Sequence, residues 1–391
     1  MMTLPPLVEP GEPLSREEVN RYSRHLLIPN VGMEGQRRIK NAKVLVIGAG
    51  GLGSPTLLYL AAAGVGTLGI IDFDRVDESN LQRQIIHTVD SIGELKVESA
   101  KRAIQKLNPH IKVETYTDRL EPDTAVELFS RYDLILDGTD NFATRYLVND
   151  ACMLADKPYV WGSIFRFEGQ VSVFWENAPG GIGLNYRDLY PEPPPPELAP
   201  SCAQGGVFGV LCASIASIMS TEAIKLITGI GDPLIGRLIA YDALDMCYRE
   251  LPIRRLPNRT PVTELGDYQT FCGLNPPADA MAIPVPVMTV LELKEQLDQA
   301  QAPVLVDVRD PNEWEIVNIP GAILMPKSPT VAAEILAAFG PNADLVISCR
   351  SGARSKAVCE ELIKLNAPKV RNLEGGVLAW VEQVAPELAS Y

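Results

Sequence analysis

The sequence predicts an α/β protein in two parts: a mostly parallel, doubly wound sheet, then a second, smaller α/β unit. Three observations carry this reading. From Lys43 onward, short apolar runs alternate with helix-patterned segments. A glycine turn, "GAGGLG", joins the first run to the first helix of that series. A proline-rich stretch then interrupts the pattern, and a fresh strand–helix alternation starts near residue 288. Strands separated by helices must cross over and pair in parallel.

Each element has a local reason. "SREE" places Ser15 three residues before Glu18, a capping box that starts a helix running toward Pro29. "AKVLVIGAG" is a strand entering the turn, "SPTLLYLAAAG" the helix after it, and "TLGIIDFD" the second strand. "KVESAKRAIQKLN" is a helix, "KVETYTD" a strand, and "YDLILDGTDN" a strand ending in a polar turn. "GQVSVFWE" is a further strand, and an apolar helix runs through "STEAIKLITG". In the second part, helix "TVLELKEQLDQ", strand "PVLVDVR", helix "VAAEILAAFG", strand "ADLVIS" and helix "SKAVCEELIKL" follow in order. The expected division is an N-terminal helical arm over 1–29, a first domain over 30–251, a proline-rich connector over 252–287 and a second domain over 288–391. No internal repeat is visible.

Composition narrows the function. The chain has 391 residues and a net charge of −14. Phosphate-backbone binding needs a basic face, so no nucleic acid partner is expected. "MMTLPPLVEPGEPL" lacks a basic segment and a long apolar run, so no signal peptide is expected. "GVFGVLCASIASIM" is too short and broken to span a bilayer. A cytoplasmic protein with no membrane partner is the expectation. Seven cysteines at irregular spacing argue for reduced thiols. Three histidines, His25, His87 and His110, leave little for histidine catalysis or histidine-rich metal sites.

The first chemical site is the glycine turn. Gly48, Gly50 and Gly53 are spaced G-x-G-x-x-G between a strand and a helix, where backbone N–H groups and the helix N-terminus suit an anionic phosphate. Asp72 ends the next strand, at the distance where an acid meets a ribose hydroxyl. The turn alone fits NAD as well. Its surroundings do not: Asn80 and Arg83 in "DESNLQRQIIH", Lys96, and Asp140 with Asn141 in "DGTDN" are parts for stabilising charge on transferred phosphates.

"RYSRHLLIP", "VLVIGAGGLGS", "AAAGVGTLGIIDFDRVDESNLQRQ", "GELKVESA" and "DLILDGTDNFATRY" together resemble the E1-like adenylyltransferases of the MoeB/ThiF superfamily, over about residues 15–250. The resemblance implies a Rossmann-like E1 adenylation domain with a mostly parallel sheet. It implies that ATP and Mg2+ are used to adenylate the C-terminal glycine of a ubiquitin-like sulfur-carrier protein. It places Gly51 against the nucleotide, Asp72 on the ribose, and Asn80, Arg83 and Lys96 on the phosphates, with Ser79 also among the nucleotide-binding residues. It gives Asp140 the magnesium, with Asn141 beside the phosphate chain. Arg24 matches an arginine that reaches the ATP of a partner subunit, which implies a homodimer. Many relatives hold a zinc between two C-x-x-C pairs. Here those positions read "NYRD", Asn185 to Asp188, and "QTFC", Gln269 to Cys272. One thiolate cannot complete a four-ligand shell, so no zinc is expected.

Two cysteines stand apart. Cys202, in "APSCAQGG", matches a cysteine with which relatives hold the carrier glycine covalently. Cys349 opens "CRSGAR" after an apolar strand; successive N–H groups, a helix N-terminus, Arg350 and Arg354 all favour a sulfur anion there. Cys152, Cys212, Cys247 and Cys359 lie on apolar faces and are expected in the core. The Cys349 loop, with "VLVDVRDPNEWEIVNIPGAILMP" and "NLEGGVLAW", resembles the rhodanese sulfurtransferases over about 288–391, which implies a small α/β rhodanese-like domain. The C-x4-R spacing is that of sulfur-transferring members. Asn318 replaces a common histidine at a position that supports the fold.

Together the two resemblances imply adenylation of a diglycine-ended carrier, then sulfur transfer from a Cys349 persulfide to give a thiocarboxylate. The donor would be a cysteine desulfurase or thiosulfate, and molybdopterin, cysteine, thiamine or tRNA thiolation carriers all fit. Alternatives are a ubiquitin-type activating enzyme passing on a Cys202 thioester, an NAD oxidoreductase fused to a sulfurtransferase, and a non-catalytic scaffold.

Overall fold

The computed structural model describes residues 4–194, 205–273, 284–299 and 302–391. The chain forms two compact units, Met1–Pro277 and Ala278–Tyr391.

In the first unit, helix α1 (Arg16–Leu26) begins at the expected capping box: Ser15 Oγ accepts from the Glu18 amide, and Glu18 accepts from the Ser15 amide. Helix α2 (Gly32–Asn41) leads into strand β1 (Lys43–Ile47). Helix α3 (Gly53–Ala63) connects β1 to β2 (Thr67–Ile71), and α4 (Lys96–Leu107) leads to β3 (Lys112–Tyr116). Helix α5 (Pro122–Ser130) precedes β4 (Leu134–Asp137), and α6 (Phe142–Leu154) precedes β5 (Tyr159–Phe165). Then come β6 (Glu168–Phe174), helix α7 (Gly209–Thr228), β7 (Arg237–Asp242), β8 (Cys247–Pro252) and a short helix α8 (Tyr268–Phe271).

The eight strands lie in the order β3-β2-β1-β4-β5-β6-β7-β8. The first five pair in parallel and the remaining pairs are antiparallel. The chain order reverses between β1 and β4, the switch point where ligands bind in such sheets. The carboxyl ends of these strands deliver Gly48, Asp72 and Asp137 to one edge.

Helix α7 runs for 20 residues, longer than the window read in the sequence, and is apolar enough by length and composition to cross a membrane. Its placement shows a core helix instead: Leu211, Ile215, Met219, Ala223 and Ile227 are buried in the main cluster with β1, β4 and α3 residues. Val210 and Thr221 on other faces are exposed. Of the segment expected as a connector over 252–287, Ile253, Tyr268 and Cys272 are buried in the first unit's second cluster. Cys247 departs from expectation. It opens β8, the last strand in the order of the described sheet, and is only half-buried.

The second unit has a five-stranded, all-parallel sheet, β11-β10-β12-β13-β9. Its strands are β9 (Val287–Met288), β10 (Val304–Asp307), β11 (Ile323–Leu324), β12 (Leu345–Ser348) and β13 (Val370–Leu373). Its helices are α9 (Val290–Leu297), α10 (Pro311–Ile316), α11 (Val331–Phe339), α12 (Ala353–Lys364) and α13 (Gly376–Gln383). Separate apolar clusters cover the two faces.

Candidate active sites

The glycine turn is built tightly. Gly48 has φ +91°, a conformation that L side chains rarely adopt. A Cβ on Gly53 would sit 1.9 Å from the Gly48 carbonyl oxygen, and one on Gly51 would sit 2.9 Å from Cys212 Sγ. The turn is braced from both sides. Asp72 Oδ2 accepts from the Ala49 amide at 2.8 Å. His87 Nε2 lies 2.9 Å from the Ala49 carbonyl oxygen, and its Nδ1 lies 2.9 Å from Ser99 Oγ. A carbonyl oxygen can only accept, so Nε2 carries the proton and Nδ1 accepts from the serine. Burial, aided by the Lys96 charge, pushes the His87 pKa down, which keeps this neutral form. Burial likewise pushes the Asp72 carboxyl up, against the opposing pull of Lys96 and two backbone amides.

Beside the turn is a cavity of about 350 Å³, lined by Gly48, Gly50, Gly51, Asp72, Asn80, Arg83, Lys96, Asp140 and Asn141. The structure thus brings nine of the sequence-predicted residues to one space. Lys96 is buried, with Nζ 2.9 Å from Asp74 Oδ2. Arg83 Nη1 donates to the Ser79 carbonyl at 3.1 Å. Asn141 caps α6 by accepting from the Thr144 amide. Asp140 is exposed at the mouth. Ser79 is not among the lining residues; its hydroxyl donates to Asp77 at 2.6 Å. Arg24, exposed on α1, does not line this cavity either. Gly53 sits behind the turn, and Cys202 lies outside the described residues.

Sequence reading missed Arg145. It is buried, lines the same cavity, and donates to the Thr139 carbonyl through Nε and Nη2 and to Ser163 Oγ at 3.0 Å. Its guanidinium lies over the Phe142 and Trp161 rings. A second hollow of about 270 Å³, walled by Trp161, Tyr186 and Tyr190, also touches Arg145. A buried cation at the junction of two cavities is placed to meet an anion made between them. The available signal was its position in "DGTDNFATRY", four residues after Asn141 on the helix that Asn141 caps. Arg119, 4.5 Å above the Phe73 ring at the same cavity, was also unread.

For magnesium, the residues fit its usual mode of one or two carboxylates completed by water and phosphate. Asp140 supplies an exposed carboxylate beside Lys96 and Arg83. Asp137, three residues earlier, is fully buried and accepts from Thr139 through Oδ1, while Oδ2 has no hydrogen-bond partner. No group of three or more His, Cys, Asp or Glu placed to hold a metal occurs among the described residues.

At the positions of the relatives' zinc pairs, charged side chains tie the same segments together. Arg259 donates to Asp188 at 2.6 Å and also to Glu176. Arg187 forks onto Asp150 at 3.0 and 2.7 Å, and Tyr268 donates to the same carboxylate. Burial pushes the Cys272 thiol up to about 11. A hollow of about 820 Å³ opens beside this network. The smaller cavity at the switch point, which gathers the glycine turn with Asp72, Arg83 and Lys96, is the better site for phosphate chemistry.

In the second unit, Cys349 follows β12 and is buried. The Gly352 amide donates to its Sγ at 3.2 Å. Ser355 Oγ lies 3.3 Å from Sγ and 2.6 Å from Asn372 Oδ1; its single proton can turn toward whichever needs it. The loop is clamped from behind: the Val377 amide donates to the Cys349 carbonyl and the Leu378 amide to that of Arg350. A Cβ on Gly376 would stand 2.3 Å from the Cys349 carbonyl oxygen, which explains the second glycine in "LEGGV". Both arginines have carboxylate or carbonyl partners, and the Arg354 charge also interacts with Cys349. Arg350 donates to the Tyr391 main-chain oxygen, and Arg354 forks onto Glu313 at 2.7 and 2.6 Å. The groups donating directly to the sulfur are thus an amide and a hydroxyl. Cys359, also buried, has its thiol pushed up to about 12 by burial and then by Cys349. Asn318 Nδ2 donates to the Trp314 carbonyl at the end of α10.

Residues 22–262 match the ThiF family model. The chain belongs to the ThiF family. Behind that span, this ThiF-family protein matches the rhodanese-like domain model over 289–383. It is 59% identical over 389 residues to the probable adenylyltransferase/sulfurtransferase MoeZ of Mycobacterium tuberculosis, covering 100% of this chain and 99% of the relative. It is 51% identical over 268 residues to a sulfur carrier protein adenylyltransferase of Thermus thermophilus, covering 66% of this chain and 98% of that one. The adenylyltransferase and sulfurtransferase MOCS3 of Drosophila ananassae is 38% identical over 400 residues, covering 97% and 86%. Among solved structures, Escherichia coli MccB with ATP is similar with TM-score 0.54 and 25% identity, over 64% of this chain and 75% of that chain.

Proposed function

We propose that this ThiF-family protein adenylates the C-terminal glycine of a ubiquitin-like sulfur carrier and then converts it to a thiocarboxylate with sulfur from Cys349. The observation that carries this is the presence in one chain of a phosphate-suited cavity with Arg83, Lys96 and Arg145 and of a buried cysteine with donors aimed at its sulfur.

In the first step the carrier's carboxylate oxygen bonds to the α-phosphorus of ATP, the α–β bridging bond breaks, and pyrophosphate leaves. Arg83 and Lys96 offer N–H donors to phosphate oxygens, and Asp72 offers its free lone pairs to a ribose hydroxyl. Arg145, with its planar fork, meets charge developing on the acyl phosphate. Asp140 would hold magnesium, which supplies charge neutralisation to the phosphates. In the second step the terminal sulfur of a Cys349 persulfide bonds to the acyl carbon and AMP leaves, giving an acyl disulfide. The Gly352 amide and Ser355 hydroxyl hold the Cys349 Sγ to which that attacking sulfur is bonded. A second thiol, assigned here to Cys202, then attacks the Cys349 sulfur; the thiocarboxylate leaves, and a cysteine–cysteine disulfide remains for an external thiol to reduce. A cysteine desulfurase or thiosulfate reloads Cys349. Splitting the transfer through covalent intermediates lowers each barrier.

Arg24, exposed on α1 away from its own cavity, suits a homodimer in which it completes the partner's site. A molybdopterin-synthase type carrier in the cytoplasm is the leading substrate. The relatives named as joint adenylyl- and sulfurtransferases support this reading over a ubiquitin-type thioester relay. The test is pyrophosphate exchange with diglycine-ended carriers. Cys349→Ala should keep exchange and lose thiocarboxylate; Lys96→Ala and Asp140→Ala should lose exchange. Loss of exchange in Cys349→Ala would contradict the division of labour.

A further inference from the structure

Tyr391 is fixed at both ends beside the sulfur loop. Its main-chain oxygen accepts from Arg350 Nε at 2.9 Å and from Nη2 of the same guanidinium, which also lies 5.2 Å from its ring centroid. Its hydroxyl accepts from Arg309 Nη1 at 2.7 Å and donates to Glu313 Oε1 at 3.0 Å. Arg309 is a rigid post, fully buried and paired with fully buried Asp307. Glu313 is the carboxylate that holds the Arg354 fork. Only a group that donates and accepts at once can bridge a cation and a carboxylate in this way. Tyr391 therefore touches the network of each loop arginine, although it stands 42 positions after Cys349 and outside the matched rhodanese-like span.

We propose that Tyr391 is a positioning residue for sulfur transfer, setting Arg350 directly and Arg354 through Glu313 around the Cys349 loop. This rests on the reading of Cys349 as the sulfur carrier. Arg350 follows Cys349 immediately, and its carbonyl is held by α13; the Tyr391 oxygen fixes the other end of the same residue. A loop held at backbone and side chain presents its sulfur in one geometry, and small misplacements of reacting groups are expensive in rate.

The test uses the full-length protein and a thiosulfate-to-cyanide sulfur transfer assay. Tyr391→Phe, which keeps the ring and loses both hydrogen bonds of the hydroxyl bridge, should lower kcat/KM about threefold, because those bonds reach the sulfur loop only through Glu313 and Arg354. Tyr391→Ala should lower it about tenfold or more through misplacement of the loop. Pyrophosphate exchange should be unchanged in both. The deciding readout is a double-mutant cycle. If Tyr391 acts through Arg350, then Tyr391→Ala combined with Arg350→Ala should be no slower than Arg350→Ala with Tyr391→Phe. Multiplying losses, or a wild-type rate in Tyr391→Ala, would overturn the proposal. Transfer persisting in Cys349→Ala would instead overturn the underlying reading, and the proposal with it.

Discussion

Arg259 donates to the Asp188 carboxylate at 2.6 Å, joining points 71 residues apart in the chain. The Asp188 side chain is fully buried and that of Arg259 is 10% exposed. Removing one partner of a buried pair strands the other charge and costs about 3–5 kcal/mol. Arg259→Ala should therefore destabilise the first unit by about that amount in denaturant titrations, with little effect on sulfur uptake by Cys349. A stability loss under about 1 kcal/mol would mean the pair behaves as an exposed one.

The same network predicts the response to metal removal. With Asn185, Asp188 and Gln269 at three of the four positions, a four-thiolate shell is not expected, and the ion pairs Arg259–Asp188 and Arg187–Asp150 are expected to supply the cross-link. Prolonged chelation should leave the unfolding midpoint of the purified protein unchanged. One tightly held zinc per chain, lost together with stability, would contradict this.

His87 holds the Ala49 carbonyl from beneath the nucleotide turn. His87→Ala should raise KM for ATP by about tenfold, the worth of one or two buried hydrogen bonds, and should change kcat less. Pyrophosphate exchange at varied ATP measures both. The folded His87 pKa is depressed below the ordinary 6.5. Its contribution to stability is thus complete above 6.5 and fades as pH falls through the lower folded value. The Ala variant should lack that acid-side slope.

Arg145 should be the most sensitive of the residues that sequence reading left out. Arg145→Ala should lower exchange by about a hundredfold, as for loss of one donor to a developing oxyanion. Arg145→Lys should rescue little, because an ammonium cannot reach Thr139 and Ser163 together while stacking on two rings.

Glu313 gives the second unit its own acid sensitivity. Burial alone would raise its carboxyl, but the Arg354 fork and the Asp310 amide outweigh burial and hold it below the ordinary value of 4.5. Its stabilisation is complete above 4.5 and is lost as pH falls through the lower folded value. Thermal unfolding followed from pH 7 downward should show the midpoint falling more steeply in wild type than in Glu313→Gln.

What could be read from the sequence is what is local. The Ser15–Glu18 capping box, the Gly48–Gly53 turn and the C-x4-R loop each depend on neighbours a few residues away, so their spacing states their geometry. The unread parts are long-range. Nothing near His87 announces a partner at Ala49, 38 residues earlier. Arg350 and Arg354 look free beside Cys349, and only the fold shows Tyr391 and Glu313 taking them. Cys247 reads as a core residue on an apolar face; that β8 ends the order of the described sheet is a property of strand order. Arg145 sat inside a quoted motif, but its burial against Trp161 comes from the packing of α6 on β5.

The central claim is that one chain couples nucleotide cleavage to a sulfur carried on Cys349. Its most direct measurement is the intact mass of a diglycine-ended carrier after incubation with this protein, ATP, magnesium and thiosulfate. The account predicts a mass gain equal to replacing one oxygen by sulfur, dependent on ATP and absent with Cys349→Ala. An unchanged carrier mass across all diglycine-ended candidates, or the same gain without Cys349, would contradict it.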